Sequence, residues 1–310
     1  MSNVGIEVIA PVFGIMVAGF LAARCRVFGS ESSAALSRFV FYVSLPALTF
    51  ISLARVPVAE VFDWPLIGAF GGSCLILFAV GYAVARLVFP DTPTARALHA
   101  LCAMFSSTGY LGLPLVVMAY GDKALIPGIV GTVITGAIFL PLTVLLAEID
   151  KGRGAGRMIL APLLDVLKTP MLLAAVAGVL ASFLGVPIPR PFGAFCDILG
   201  GAFIPCALFS AGLFVANCTV KGEVREVGWL VAAKLFLHPA VAWWLAYKVL
   251  DLDPMKAAIA VLLAALPTGV PAFVLAQQYK AFVMRANAII VISTAISVVT
   301  LSALLVVLVP

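Results

Sequence analysis

Between Asp63 and Arg86 the chain runs through 22 consecutive residues without a charged side chain. A stretch of about 20 apolar residues matches the hydrocarbon thickness of a bilayer. The pattern recurs near 5–23, 37–54, 65–86, 97–119, 126–147, 169–186, 198–217, 229–250, 256–277 and 287–309, which predicts ten spans. Only 11% of the 310 residues are charged, against about 25% in a soluble domain, so lipid is the solvent that suits this composition. Period-two alternation is absent, which argues against an outer-membrane barrel. The expectation is an all-α polytopic membrane protein. Residues 1–4 hold no Lys or Arg, unlike the basic start of a signal peptide, so the first span is expected to stay.

The basic residues divide unevenly between the two faces that ten spans define. One face collects 14, among them Arg24, Arg38, Arg86, Lys151, Arg153, Arg157, Lys168, Lys221, Lys234 and Arg285. The other collects five: Arg55, Lys123, Arg190, Lys248 and Lys256. The positive-inside rule puts the richer face in the cytoplasm and both termini outside. The net charge of +5 therefore reads as topology, with the bilayer as partner and no nucleic acid.

A faint self-similarity runs at an offset of 159–160 residues. Thr108-Gly109 matches Thr268-Gly269, Tyr120 matches Tyr279, and Pro46 matches Pro205. Five spans per half place the second copy upside down, an arrangement found in many secondary transporters. The predicted units are a first repeat at 1–150, a basic linker at 151–168 and an inverted second repeat at 169–310.

Both halves carry an interrupted segment at the same place: FSSTGYLGLPL at 105–115 and LPTGVPA at 266–272. Gly and Pro weaken helices there, and such backbone is tolerated at membrane depth only against protein or a water-filled cavity. Paired interruptions point to a transporter's binding site. Half-helix N-termini meeting there would favour an anion. The candidate binding residues are Ser106, Ser107, Thr108, Gly109, Gly112 and Pro114 with Pro267, Thr268, Gly269, Val270 and Pro271. Pro114 and its counterparts are the expected cause of the breaks. Lys234 and His238, one turn apart on span eight, either reach a cytoplasmic edge or a backbone carbonyl, or help to hold the anion.

Enzyme chemistry finds no foothold. The six cysteines are scattered without a CxxC pair and there are two histidines, so neither a metal centre nor a cofactor is predicted. No Gly-rich phosphate loop or GxSxG elbow appears. No Asp or Glu falls deep in a span, where proton or sodium pumps usually place one.

The motifs FYVSLPALTF, TGYLGLPL, KLFLHPAVAW, LPTGVPAFVLAQQY and ISTAISVVTL occur in order along nearly the whole chain. Together they resemble the auxin efflux carrier family of plant auxin exporters and bacterial carriers. The resemblance implies two inverted five-helix repeats, with spans four and nine broken and crossing at Gly109–Pro114 and Pro267–Pro271. It also implies a homodimer in which spans 1, 2, 6 and 7 form a scaffold and spans 3–5 and 8–10 move like an elevator. Family substrates are organic anions, with malonate and other carboxylates ascribed to bacterial members. Ser107 stands where relatives often carry Asn, and the Asn often found near Pro271 is missing. The expected function is an inner-membrane exporter of small organic anions running as a uniporter. The rivals are a sodium- or proton-coupled symporter of similar fold and a receptor that binds without transport.

Overall fold

The computed structural model describes residues 4–89, 91–150, 168–218 and 223–309. Lys151, Arg153, Arg157 and Lys221 of the charge count lie outside these residues, as does the predicted linker apart from Lys168.

Apolar sequence with proline in the first turn sets most of the helices. The chain opens with α1 (Val4–Arg24), then α2 (Ser30–Phe39) and α3 (Leu45–Ala54), joined through a wide π turn at Val40–Ser44. After the single turn α4 (Val58–Val61) comes α5 (Trp64–Leu87), capped by Asp63, whose carboxylate accepts from the Leu66 N–H at 3.1 Å. α6 (Pro93–Met104) is capped in the same way by Thr92. Its missing N–H at Pro93 costs nothing, because the first turn of a helix has no internal acceptors. There follow α7 (Leu113–Tyr120), α8 (Leu125–Ile134), α9 (Leu140–Asp150), α10 (Pro170–Phe183), α11 (Arg190–Gly201) and α12 (Phe203–Ala216). The last are α13 (Val224–Ala232), α14 (His238–Trp244), α15 (Pro254–Ala265), α16 (Val270–Tyr279) and α17 (Val283–Leu308).

Among the described residues seven helical runs are long and apolar enough to cross a membrane: Glu7–Arg24, Glu31–Ala54, Val58–Leu87, Thr108–Glu148, Arg190–Ala216, Val224–Val249 and Val283–Leu308. α10 and α15 are shorter apolar helices. The run expected at 198–217 begins earlier, at Arg190, because Pro191 opens a helix there. Large apolar side chains such as Leu173, Phe183, Ile198, Val299 and Val307 stand exposed on the outside, a surface that suits acyl chains rather than water.

Packing divides the helices into two groups. α1 lies along α12, and α3 lies against α10 and α11. At the first crossing the backbones touch. A Cβ on Gly212 would sit 1.9 Å from the Met16 carbonyl oxygen, and one on Gly19 would sit 2.2 Å from that of Phe209. The other group gathers around α15, which packs against α5, α14 and α17. Every residue from Ala257 to Ala265 is buried, as expected for a helix that is apolar all round.

At one end of that group an ion network ties α6, α13 and α17 together. His99 Nδ1 lies 2.8 Å from Glu226 Oε1, while Arg285 donates to Glu226 Oε2 at 2.7 Å and to Asp91 Oδ2 at 2.6 Å. Asp91 stands in the connection before α6. Burial pushes its carboxyl up, but the bonds from Arg285 and the Thr92 N–H outweigh that and hold it below the usual carboxylate range. A carboxyl that stays ionised to a lower pH in the folded state adds stability above its ordinary value of about 3.9 and loses it as pH falls through the depressed one. The melting temperature of wild type is therefore expected to fall below about pH 4, and Asp91→Asn should flatten that slope in a pH series.

Candidate functional site

α6 ends at Met104 and the helix resumes as a π turn at Thr108–Gly112; α15 ends at Ala265 and α16 starts at Val270. In the two gaps the backbone is extended, with ψ of 100° at Phe105, 151° at Leu266 and 150° at Gly269. The gaps pair with each other. The Ser107 N–H donates to the Pro267 carbonyl at 2.9 Å and the Gly269 N–H donates to the Phe105 carbonyl at 3.0 Å. Ser106 and Thr268 form an isolated antiparallel bridge between these bonds. Each gap thus supplies the donors and acceptors that the other lacks, which answers the demand that buried backbone be satisfied.

Thr268 fastens the bridge further. Its N–H donates to Ser293 Oγ at 3.2 Å on α17, and its hydroxyl donates to the Cys102 carbonyl at 3.1 Å. That carbonyl, in the last turn of α6, has lost its helical partner to the break.

The bridge borders a cavity of about 100 Å³ lined by Ser106, Ser107, Thr108, Gly109 and Pro271, with Tyr110, Thr132 and Thr135 beside them. Phe41, Leu45 and Met171 close it from the other helix group. Thr108 Oγ1 lies 3.2 Å from Thr135 Oγ1. At the start of their half-helix, Gly109 and Tyr110 carry N–H groups for which a helix has no internal acceptor. A wider cleft of about 420 Å³ continues from this cavity, sharing Phe41, Tyr110, Leu140 and Pro271 with it and reaching Arg38 and Val270. Among the described residues, no Asp, Glu, Lys or Arg lines the smaller cavity.

The expected site residues therefore separate. Ser106, Ser107, Thr108, Gly109 and Pro271 belong to the cavity's lining, Ser106 and Thr108 as buried members of its wall, and Val270 lines the adjoining cleft. Pro267, Thr268 and Gly269 are buried behind them in the bridge. Gly112 packs against α15, where a Cβ would meet Leu266 Cδ1 at 2.6 Å. Pro114 is buried and sits in the first turn of α7. It does not break the helix, as the sequence suggested. The break lies at 105–107, ahead of a helical run that begins at Thr108 and carries Pro114 as its seventh residue. The π turn just before the proline is the kind of local adjustment by which a membrane helix tolerates one. Pro114→Ala is accordingly expected to leave the break intact and to cost about 1 kcal/mol or less in thermal stability.

Lys234 does not reach an edge. It lies in a π turn, Ala233–Leu237, and is wholly buried. Its Nζ donates to Ser106 Oγ at 2.9 Å and to the Ala264 carbonyl at 2.6 Å, with His238 Nδ1 at 3.1 Å. His238, equally buried, has Nε2 at 3.3 Å from Ser73 Oγ. The Ser73 hydroxyl donates to the Phe70 carbonyl at 2.7 Å, so its oxygen is left to accept from Nε2–H. That leaves the Nδ1 lone pair for Lys234. The three N–H bonds of an ammonium then meet three acceptors, and among the described residues no carboxylate pairs with it.

Thr132 and Thr135 were not singled out from the sequence, although their i, i+3 spacing puts both on one helix face. The pair His99 and Glu226 is 127 residues apart and left no local signal.

A family model described as membrane transport protein matches residues 4–305. A protein of Rhizobium meliloti (strain 1021) named "Putative malonate transporter" is 33% identical over 305 residues, covering 96% of this chain and 93% of its own length. An uncharacterized transporter of Methanothermobacter thermautotrophicus is 28% identical over 299 residues, covering 95% of each. An uncharacterized transporter of Escherichia coli (strain K12) is 25% identical over 295 residues, covering 94% of this chain and 93% of its own. A match over nearly the full length, on a helical membrane chain, places this protein in the auxin efflux carrier family of membrane transport proteins.

Proposed function

We propose that the chain carries small organic anions such as malonate across the bacterial inner membrane, as an exporter driven by the membrane potential. The observation that carries this reading is the cavity at the paired breaks. Among the described residues its polar lining consists of Ser and Thr residues and the start of a half-helix, with no carboxylate to repel an anion. Such donors bind negative charge without adding a fixed opposite charge at the wall. Moving one charge across the membrane is worth roughly 2.3 kcal/mol per 100 mV, so an inside-negative potential expels an anion without a coupling ion. The malonate relative supports the substrate class.

The ten-span, inverted-repeat reading has support of its own. Dividing the run Thr108–Glu148 at Gly121, where φ is +70°, adds one span to the seven long ones. Counting α10, and α15 with α16, adds two more. The antiparallel bridge joins the two interrupted segments that the sequence offset relates, although its paired residues, Ser106 and Thr268, lie 162 apart and so fall about two residues off that offset. The helix grouping fits a scaffold of α1, α2–α3, α10 and α11–α12 beside a moving body of the remaining helices. A homodimer through the scaffold and an outward position for both termini complete the proposal.

Purified protein in proteoliposomes with an imposed potential tests it. Malonate flux should follow the sign of the potential. Flux indifferent to that sign overturns the uniporter, and flux that demands a sodium gradient replaces it with a coupled symporter.

A further inference from the structure

We propose that Lys234 is the fixed counter-cation of the carried anion, acting on it through the hydroxyl of Ser106, so that the site fills without a metal cation. This rests on the anion-carrier reading above and names the group that supplies its positive charge.

Three observations converge. First, the ammonium is completely buried and no carboxylate answers it among the described residues. Hydrogen bonds to Ser106, Ala264 and His238 satisfy its N–H groups but leave its charge uncompensated. An unpaired buried charge is costly, and a mobile anion nearby removes that cost when it binds.

Second, Ser106 belongs to both sets of contacts. Its oxygen accepts from Nζ at 2.9 Å, and the same residue lines the cavity. With its oxygen engaged by a cation, the hydroxyl is left to donate, and it donates more strongly for being polarised. An anion bonded to that hydroxyl at about 2.7 Å lies within about 6 Å of Nζ, with no room for a hydration shell between.

Third, the Ala264 carbonyl and the Ser106 hydroxyl are the hard oxygen ligands that a sodium ion would seek beside the break. Nζ already occupies them. His238, held by Ser73 on α5, completes the seat and keeps the side chain from swinging away.

Lys234 is thus a positioning residue that works through Ser106. Its test compares wild type with Lys234→Met, Ser106→Ala and the double variant, each purified in nanodiscs. Binding is measured for malonate, succinate, nitrate and bromide with sodium or choline as the sole cation. Wild type should bind malonate equally well in sodium and in choline. Lys234→Met should keep a cooperative melt yet lose malonate affinity by at least 30-fold. Because the serine acts as the relay, the double variant should be no weaker than Lys234→Met alone, the non-additivity of residues that act as a unit.

Lys234→Met binding at wild-type affinity, additive losses, or a sodium requirement in wild type each overturns the proposal. If the methionine variant fails to fold, Lys234→Gln, which keeps a donor for Ala264 without the charge, is held to the same outcomes. If wild type binds nitrate or bromide but neither carboxylate, the carboxylate reading falls, and loss of those anions in Lys234→Met still supports the fixed cation. If wild type binds none of the four, both fall.

Discussion

Gly212→Val is expected to abolish the stable folded protein. Where α1 crosses α12, a Cβ on Gly212 would lie 1.9 Å from the Met16 carbonyl oxygen and 2.8 Å from the Phe20 nitrogen. Both are backbone atoms, so no rotamer change relieves the overlap. The helices must separate, and the reciprocal contact of Gly19 with the Phe209 carbonyl separates with them. Overpacking typically costs about 1–3 kcal/mol, occasionally more, when only side chains have to shift. Displacing two backbones belongs at or above the top of that range. Gly228→Ala is the control: nothing stands within 4 Å of its Cβ direction on α13, and removing a helical glycine should stabilise by roughly 0.5–1 kcal/mol. Monodisperse yield and melting temperature in detergent separate the two. A Gly212→Val variant that melts like wild type would mean that this crossing is not tight in the membrane.

Ser107→Pro should leave the fold standing and remove transport. Ser107 has φ of −72°, which a proline ring accepts, and its neighbour Ser106 lies in an extended bridge, which a following proline tolerates. What the ring deletes is the N–H that donates to the Pro267 carbonyl. It also puts a methylene where that hydrogen pointed. A buried carbonyl left without its donor costs about 1–3 kcal/mol, which shifts the population of the paired state by roughly 5- to 150-fold. Ser107→Ala keeps the N–H and isolates the hydroxyl. Malonate counterflow in proteoliposomes should drop far more for proline than for alanine. Equal activities would show that the bridge plays no part in the cycle.

The sequence made the helical, membrane-bound character plain because apolar runs between charged ends need no tertiary information. It also exposed the two weak segments, since Gly and Pro act on their own local backbone. It misplaced the first break because a membrane helix can pass through a proline when a wide turn re-pairs the backbone around it, as the run Thr108–Tyr120 does at Pro114. Only the π turn before it, and the non-helical backbone at 105–107, show where the break falls. Lys234 was ambiguous for a different reason. Whether a lysine five residues before a proline snorkels or is sealed depends on α5 and α15, whose contributions at Ser73 and Ala264 lie 161 and 30 residues away in sequence. Thr132, Thr135 and the His99–Glu226–Arg285 network were hidden because the residues they meet come from other helices.

The bridge between the breaks also sets a timetable for making the protein. Ser106 and its partner Thr268 are 162 residues apart. Chains grow at about 5–20 residues per second, so roughly 8–32 s pass between the synthesis of one strand and the arrival of the other. Throughout that interval the first half carries an open pair of backbone groups, the Phe105 carbonyl and the Ser107 N–H, that lipid cannot satisfy. The early segment is therefore a partner in waiting, kept by water or by the insertion machinery until the gap at 266–269 arrives. The backbone groups of the two gaps are satisfied together, when each reaches the other.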